Sequence, residues 1–196
     1  MDEHKRKMQK RKAAVDARIA AAPIERGVLV VNTGPGKGKS SSGLGMVLRA
    51  IGHGMRVGVV QFIKGRADTG EILFFRRYPD AAEVHVMGEG FTWETQDKAR
   101  DAAASHAAWA QAQRFLRDPA FNLVLLDELN IALRYGYLDL ATVLADLKAR
   151  PAMQHVVVTG RNAPQALIDI ADTVTEMTLV KHAFKSGVKA QPGVEW

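Results

Sequence analysis

The residues best suited to chemistry lie in GPGKGKSS, 34–41, directly after the apolar run VLVV at 28–31. Gly34, Gly36 and Gly38 can take backbone angles closed to other residues, so consecutive N–H groups can turn toward one anion. Pro35 and Lys37 separate these glycines, and Lys39 supplies a mobile ammonium for phosphate oxygens. Ser40, followed by Ser41, puts a hydroxyl where a phosphate-bound Mg²⁺ takes a ligand, and the helix-compatible segment beginning there points its positive end at the same spot. The implied chemistry is phosphate binding. Counting back from Gly38-Lys39-Ser40, the first glycine of the GxxxxGK[ST] pattern falls on Thr33, so the loop is tighter than usual and leaves the nucleotide's orientation open. The plainer reading is a glycine-rich turn with two solvated lysines; the preceding strand, following helix and GKS ending weigh against it.

Four further stretches carry candidate groups. Asp127-Glu128 closes the apolar run FNLVLLDE, 121–128. Acids at the carboxyl end of a parallel strand lie beside the ligand crevice and can hold Mg²⁺ directly or through water; as a plainer role, the pair could cap the next helix. Arg161 follows the strand-like VVVTG, where a guanidinium fork could clamp phosphate, and a surface arginine is an equal alternative. Lys64 has a similar position and a weaker case. GFTWETQ, 90–96, sets Phe91 and Trp93 on a loop, and from the residues alone a core anchor explains them best.

The elements that must position these groups alternate in type. Residues 28–31, 56–63, 83–87, 121–128, 155–160 and 173–179 read as strands, and 40–51, 96–117, 138–149 and 164–171 as helices. Gly52 and Gly54 stop the first of those helices, and ILFFRRY (72–78) reads as a short helix or turn packing its Phe and Leu. Strand, loop, helix and strand over residues 28–63 make a βαβ unit, whose strands must run parallel in one sheet. The continuously apolar run 121–128 predicts a central strand covered on both faces. The expected fold is α/β, P-loop NTPase-like (RecA-like): a mostly parallel β-sheet with helices on both faces, plus an N-terminal helical arm. Residues 1–26 form the arm and 27–196 a single domain.

Composition limits the function further. At 196 residues and 47% apolar content, the chain can bury one good core. No apolar run approaches the ~20 residues of a membrane span, and charges occupy the N-terminus, so a soluble cytoplasmic protein with no membrane partner is expected. The absence of cysteine excludes thiolate metal sites and protein thiol redox steps, and the six histidines lack ligand spacing. Residues 1–18 hold seven Lys/Arg against three acids, which places most of the net charge of +6 in the arm. There Met8, Val15, Ile19 and Ala22 share one helical face before Pro23. Such an arm is more often a solvated helix than a reader of nucleic acid, and weak RNA binding stays open.

Taken together, TGPGKGKSSSGLG, VVQFIKG, GFTWETQ, VLLDELN, VVVTGRN and VKHAFKSGVKAQPGVE resemble the ATP:corrinoid adenosyltransferases of the CobA/BtuR type, from about residue 25 to the C-terminus. The resemblance implies transfer of the 5′-deoxyadenosyl group of ATP to the cobalt of a reduced cobalamin or other corrinoid, with triphosphate leaving. It assigns ATP to Gly34, Pro35, Gly36, Lys37, Gly38, Lys39, Ser40, Ser41, Glu128 and Arg161. Mg²⁺ or Mn²⁺ falls to Ser40 and Glu128, with Asp127 in support. Phe91 and Trp93 would face the lower side of the corrin, exclude an axial ligand and water, and ease cobalt(II) reduction. The resemblance also implies a homodimer, a reduced flavoprotein as electron donor, and an N-terminal helix closing over the corrinoid. Ser40 and Ser41 stand where threonines are common in that family, and the hydroxyl is kept. The alternatives are a P-loop ATPase whose basic arm engages nucleic acid and a nucleotide-binding regulatory module without turnover.

Overall fold

Runs of valine and leucine, bounded by polar or turn residues, become short strands buried on both faces. The computed structural model describes residues 3–63, 68–87 and 98–195. Its strands are β1 (Leu29–Thr33), β2 (Val57–Gln61), β3 (Ala82–Val86), β4 (Leu123–Asp127), β5 (His155–Thr159) and β6 (Thr173–Glu176). The helices are α1 (Glu3–Ala20), α2 (Lys39–Gly52), α3 (Gly70–Phe75), α4 (Lys98–Arg117), α5 (Leu129–Arg134), α6 (Leu140–Ala149) and α7 (Gln165–Ile170), with a 3₁₀ turn at Ala183–Ser186. All strand pairings are parallel, in the order β3-β2-β4-β5-β1-β6. This is the expected α/β architecture. The run expected to be central is β4, buried at every position between β2 and β5.

Alternation along the strands divides the core into two layers. Val31, Val60, Leu126 and Val158 face Trp109 and Phe115 of α4, Leu129 of α5, Leu147 of α6 and Leu167 of α7. Val57, Val59, Leu125 and Val157 face the other way, against Leu44 and Val47 of α2 and Phe75 of α3. Helices therefore cover both faces of the sheet.

β1 and β2 are parallel in one sheet, as the βαβ unit requires, with β4 and β5 between them. Several other local expectations change in the structure. The six-residue helix α5 has no counterpart in the sequence reading; it is too short to show a helical repeat. In ILFFRRY the buried residues are Ile72 and Phe75, whereas Leu73 is about half exposed at 48%. The last strand stops at Glu176, three residues early, and is exposed throughout as an edge. Helix α1 buries no residue, and Met8, Val15 and Ile19 remain exposed along it.

The junction between arm and sheet is tied by one carboxylate. Asp172, just before β6, accepts from the Arg26 guanidinium at 2.5 and 3.0 Å and from the Leu29 N–H at 2.8 Å. Arg26 holds the Asp172 carboxyl below its ordinary value, with the Leu29 N–H helping.

Candidate active site

The strand order places the carboxyl ends of β4, β5 and β1 side by side, and each ends in polar residues: Asp127, Thr159, and Asn32 with Thr33. This gathers the loop 34–41, the acid pair and Arg161 in one crevice, as expected where ligands bind outside the carboxyl ends of parallel strands.

The three loop glycines have three different reasons. Gly38 has φ 103° and is followed at once by α2, whose first turn has no capping side chain. Gly34 also has a positive φ of 95°, and a Cβ there would lie 2.5 Å from the Met177 carbonyl oxygen. Gly36 needs no unusual φ: a Cβ would sit 2.6 Å from the carbonyl oxygens of Met177 and Thr178. Its N–H donates to Met177 O at 2.6 Å, and Met177 N–H returns a bond to Thr33 O at 2.9 Å. The Gly36 N–H is thus engaged by the chain leaving β6, and the N–H groups of the first turn of α2 are the ones a helix leaves without intrahelical partners. Met177 went unrecognised in the sequence because nothing local links residue 177 to residue 36.

Lys39 is 7% exposed and donates to the Gly36 carbonyl. Burial pulls its ammonium below the ordinary lysine value; Glu128 opposes that shift, and nearby Arg161 and Lys37 add to it. The four groups therefore share one electrostatic field, three of them cationic. A polyanion entering here would favour the charged ammonium. Lys37 is exposed and ion-paired with Glu195, Pro35 and Ser41 are exposed, and Ser40 is half-buried in the first turn of α2. The loop bearing exposed Arg161 is held to the end of β1 by the Ala163 N–H, which donates to Thr33 Oγ1 at 3.1 Å.

Asp127 is fully buried. Its Oδ1 accepts from Thr159 Oγ1 at 2.6 Å and its Oδ2 from Gln61 Nε2 at 2.9 Å. The acid therefore ties the ends of β2, β4 and β5 together. Glu128 turns the chain out of β4 with φ 63° and ψ 21°, a left-handed conformation uncommon for a side chain other than glycine. Asn32 Nδ2 and Asn130 Oδ1 are buried nearby with no hydrogen-bond partner among the described residues. Phe91, Trp93 and Lys64 lie outside the described residues. Thr159 and Gln61 were missed by sequence reasoning, although polar residues closing otherwise apolar strands were the available signal; Asn130, in the short helix α5, was missed as well.

The family model described as "ATP:corrinoid adenosyltransferase BtuR/CobO/CobP" matches residues 25–196, which include every element of this crevice. The chain belongs to that family. A second family model, "Cob(I)alamin adenosyltransferase N terminal", matches residues 2–19, which take in most of α1. Among curated relatives, the corrinoid adenosyltransferase of Pseudomonas aeruginosa is 66% identical over 98% of this chain and 95% of its own. Corrinoid adenosyltransferase CobA of Salmonella typhimurium is 47% identical over 100% and 98%. The corrinoid adenosyltransferase of Escherichia coli is 45% identical, again over 100% and 98%.

Proposed function

We propose that this enzyme transfers the 5′-deoxyadenosyl group of ATP to the cobalt of a reduced cob(I) corrinoid, in adenosylcobalamin biosynthesis or corrinoid salvage. Family membership across the whole phosphate crevice is the observation that carries this reading. The cobalt(I) electron pair forms the bond to C5′ while the C5′–O bond breaks and its pair leaves with triphosphate. Lys39, Arg161, Lys37 and the first N–H groups of α2 supply positive potential for that leaving group. The enzyme must grip three linked phosphates at once, which fits a site with several cations around one loop.

The residues present suit Mg²⁺. Among the described residues no group of three or more His, Asp or Glu side chains forms a metal cage. Mg²⁺ needs none, since it binds through one or two carboxylates together with phosphates and water. Glu128 and the Ser40 hydroxyl would hold it, with Mn²⁺ as a substitute; when bound, it neutralises charge on the phosphates. The buried Asp127, with both oxygens engaged, supports Glu128 rather than reaching the metal.

The rings of Phe91 and Trp93 would lie under the corrin and keep water and an axial ligand from cobalt. A reduced flavoprotein would supply electrons, the enzyme would act as a cytoplasmic homodimer, and the arm 1–26 would close over the corrinoid as a lid to the domain 27–196. No helix among the described residues is long and apolar enough to cross a membrane. The test is incubation with ATP, Mg²⁺ and prereduced cobalamin. The expected products are a light-sensitive cobalt–carbon species and intact triphosphate. Release of phosphate or diphosphate with no change in the corrinoid would reject the proposal.

A further inference from the structure

We infer that Thr159 and Gly160 are positioning residues that hold Glu128 in its left-handed turn and aim its carboxylate into the phosphate crevice. The inference rests on the reading of Glu128 as a metal-facing group. A non-glycine residue at φ 63° is held there only when its surroundings over-determine it. Two contacts do so from β5 and the residue after it.

The first is a hydrogen-bond chain whose direction is fixed. A buried carboxylate with two donors on it accepts only, so the single Thr159 hydroxyl proton goes to Asp127 Oδ1 at 2.6 Å. The Thr159 oxygen is thereby left to accept, and it takes the Glu128 N–H at 3.0 Å. Gln61 Nε2 anchors the far side of Asp127 at 2.9 Å. All three side chains are at most 1% exposed, so water cannot replace any member. Serine keeps this chain and valine breaks it at nearly constant volume.

The second contact is steric. Gly160 has φ 127°, and a Cβ built on it would lie 2.9 Å from Asn130 Cβ and 3.3 Å from Glu128 Oε2. The missing side chain is therefore the space that the Glu128 carboxylate and the start of α5 occupy. Asn130 Nδ2 closes the arrangement by donating to Gly160 O at 2.8 Å. Glu128 leaves the carboxyl end of β4, on the same edge of the sheet as the phosphate loop that leaves β1.

The test is Mn²⁺ binding by electron paramagnetic resonance in the presence of ATP, counted per folded site, with corrinoid absent. Thr159→Val and Gly160→Ala are each expected to loosen Mn²⁺ at least fivefold while ATP binding without metal changes less than twofold; Thr159→Ser should stay within twofold of wild type. Gly160→Ala leaves the Thr159 hydroxyl in place, so it serves if the valine variant does not fold. Wild-type Mn²⁺ affinity in both variants, with Glu128→Ala at least fivefold weaker, would overturn the positioning role and spare the reading of Glu128. Unchanged affinity in Glu128→Ala itself would overturn both.

Discussion

Lys39 combines a full ammonium with near-complete burial, an arrangement that costs desolvation until a polyanion arrives. Removing it should lower the adenosylation rate at least tenfold, equivalent to about 1.4 kcal/mol of transition-state stabilisation. Single-turnover formation of the cobalt–carbon product measures this for Lys39→Ala, and unchanged kinetics would remove the lysine from the mechanism. Trp93 makes a separate prediction, because the rings are proposed to act on cobalt before the nucleophile exists. Trp93→Ala should slow the reaction from cob(II)alamin with a reductase more than the reaction from chemically prereduced cob(I)alamin. Equal losses in the two assays would confine Trp93 to binding. The Gly36 N–H is a caution at the same scale: glycine in a phosphate motif suggested an anion donor, and its neighbour proved to be the Met177 carbonyl.

Between elements, Asp172 joins the entry to β1 with the entry to β6 through the Arg26 guanidinium and the buried Leu29 N–H. Its carboxyl is held below the ordinary 3.8 in the folded chain. A depressed folded value means the stabilisation is fully present above the unfolded value and is lost as pH falls through the folded one. Unfolding free energy of the wild type should therefore decline on acidification below about pH 5 more steeply than that of Asp172→Asn. At neutral pH the variant should be the less stable of the two, since the ion pair with Arg26 is reduced to a hydrogen bond with only the guanidinium charged. Urea titrations across pH test both statements, and parallel curves would discount the Asp172 link.

Over the whole molecule, α1 stands apart from the two core layers, with no buried residue and an uncovered apolar stripe at Met8, Val15 and Ile19. A helix that buries nothing adds little to global stability. Deleting residues 1–22 should leave the thermal unfolding midpoint within about 2 °C, a shift of no more than about 1 kcal/mol for a domain of this size. The same deletion should raise the corrinoid KM several-fold while ATP binding is unchanged, if the arm is the lid. A lowered midpoint would show that the arm packs on the domain, and an unchanged corrinoid KM would exclude the lid.

The phosphate loop, the acid pair and the alternation of strands and helices were legible in the residues because glycine runs, apolar runs and their polar endings are local signals. From them came the α/β class, the central position of β4 and the burial of the sheet. The placing of β4 and β5 between β1 and β2 was not legible, nor was the return of Met177 to the loop, because both depend on contacts between segments far apart in the chain. The left-handed Glu128 and the Thr159–Asp127–Gln61 chain belong to the same class. β2, β4 and β5 each contribute a polar terminus, and only the packed sheet brings those termini within hydrogen-bond distance and excludes the water that would otherwise compete for them.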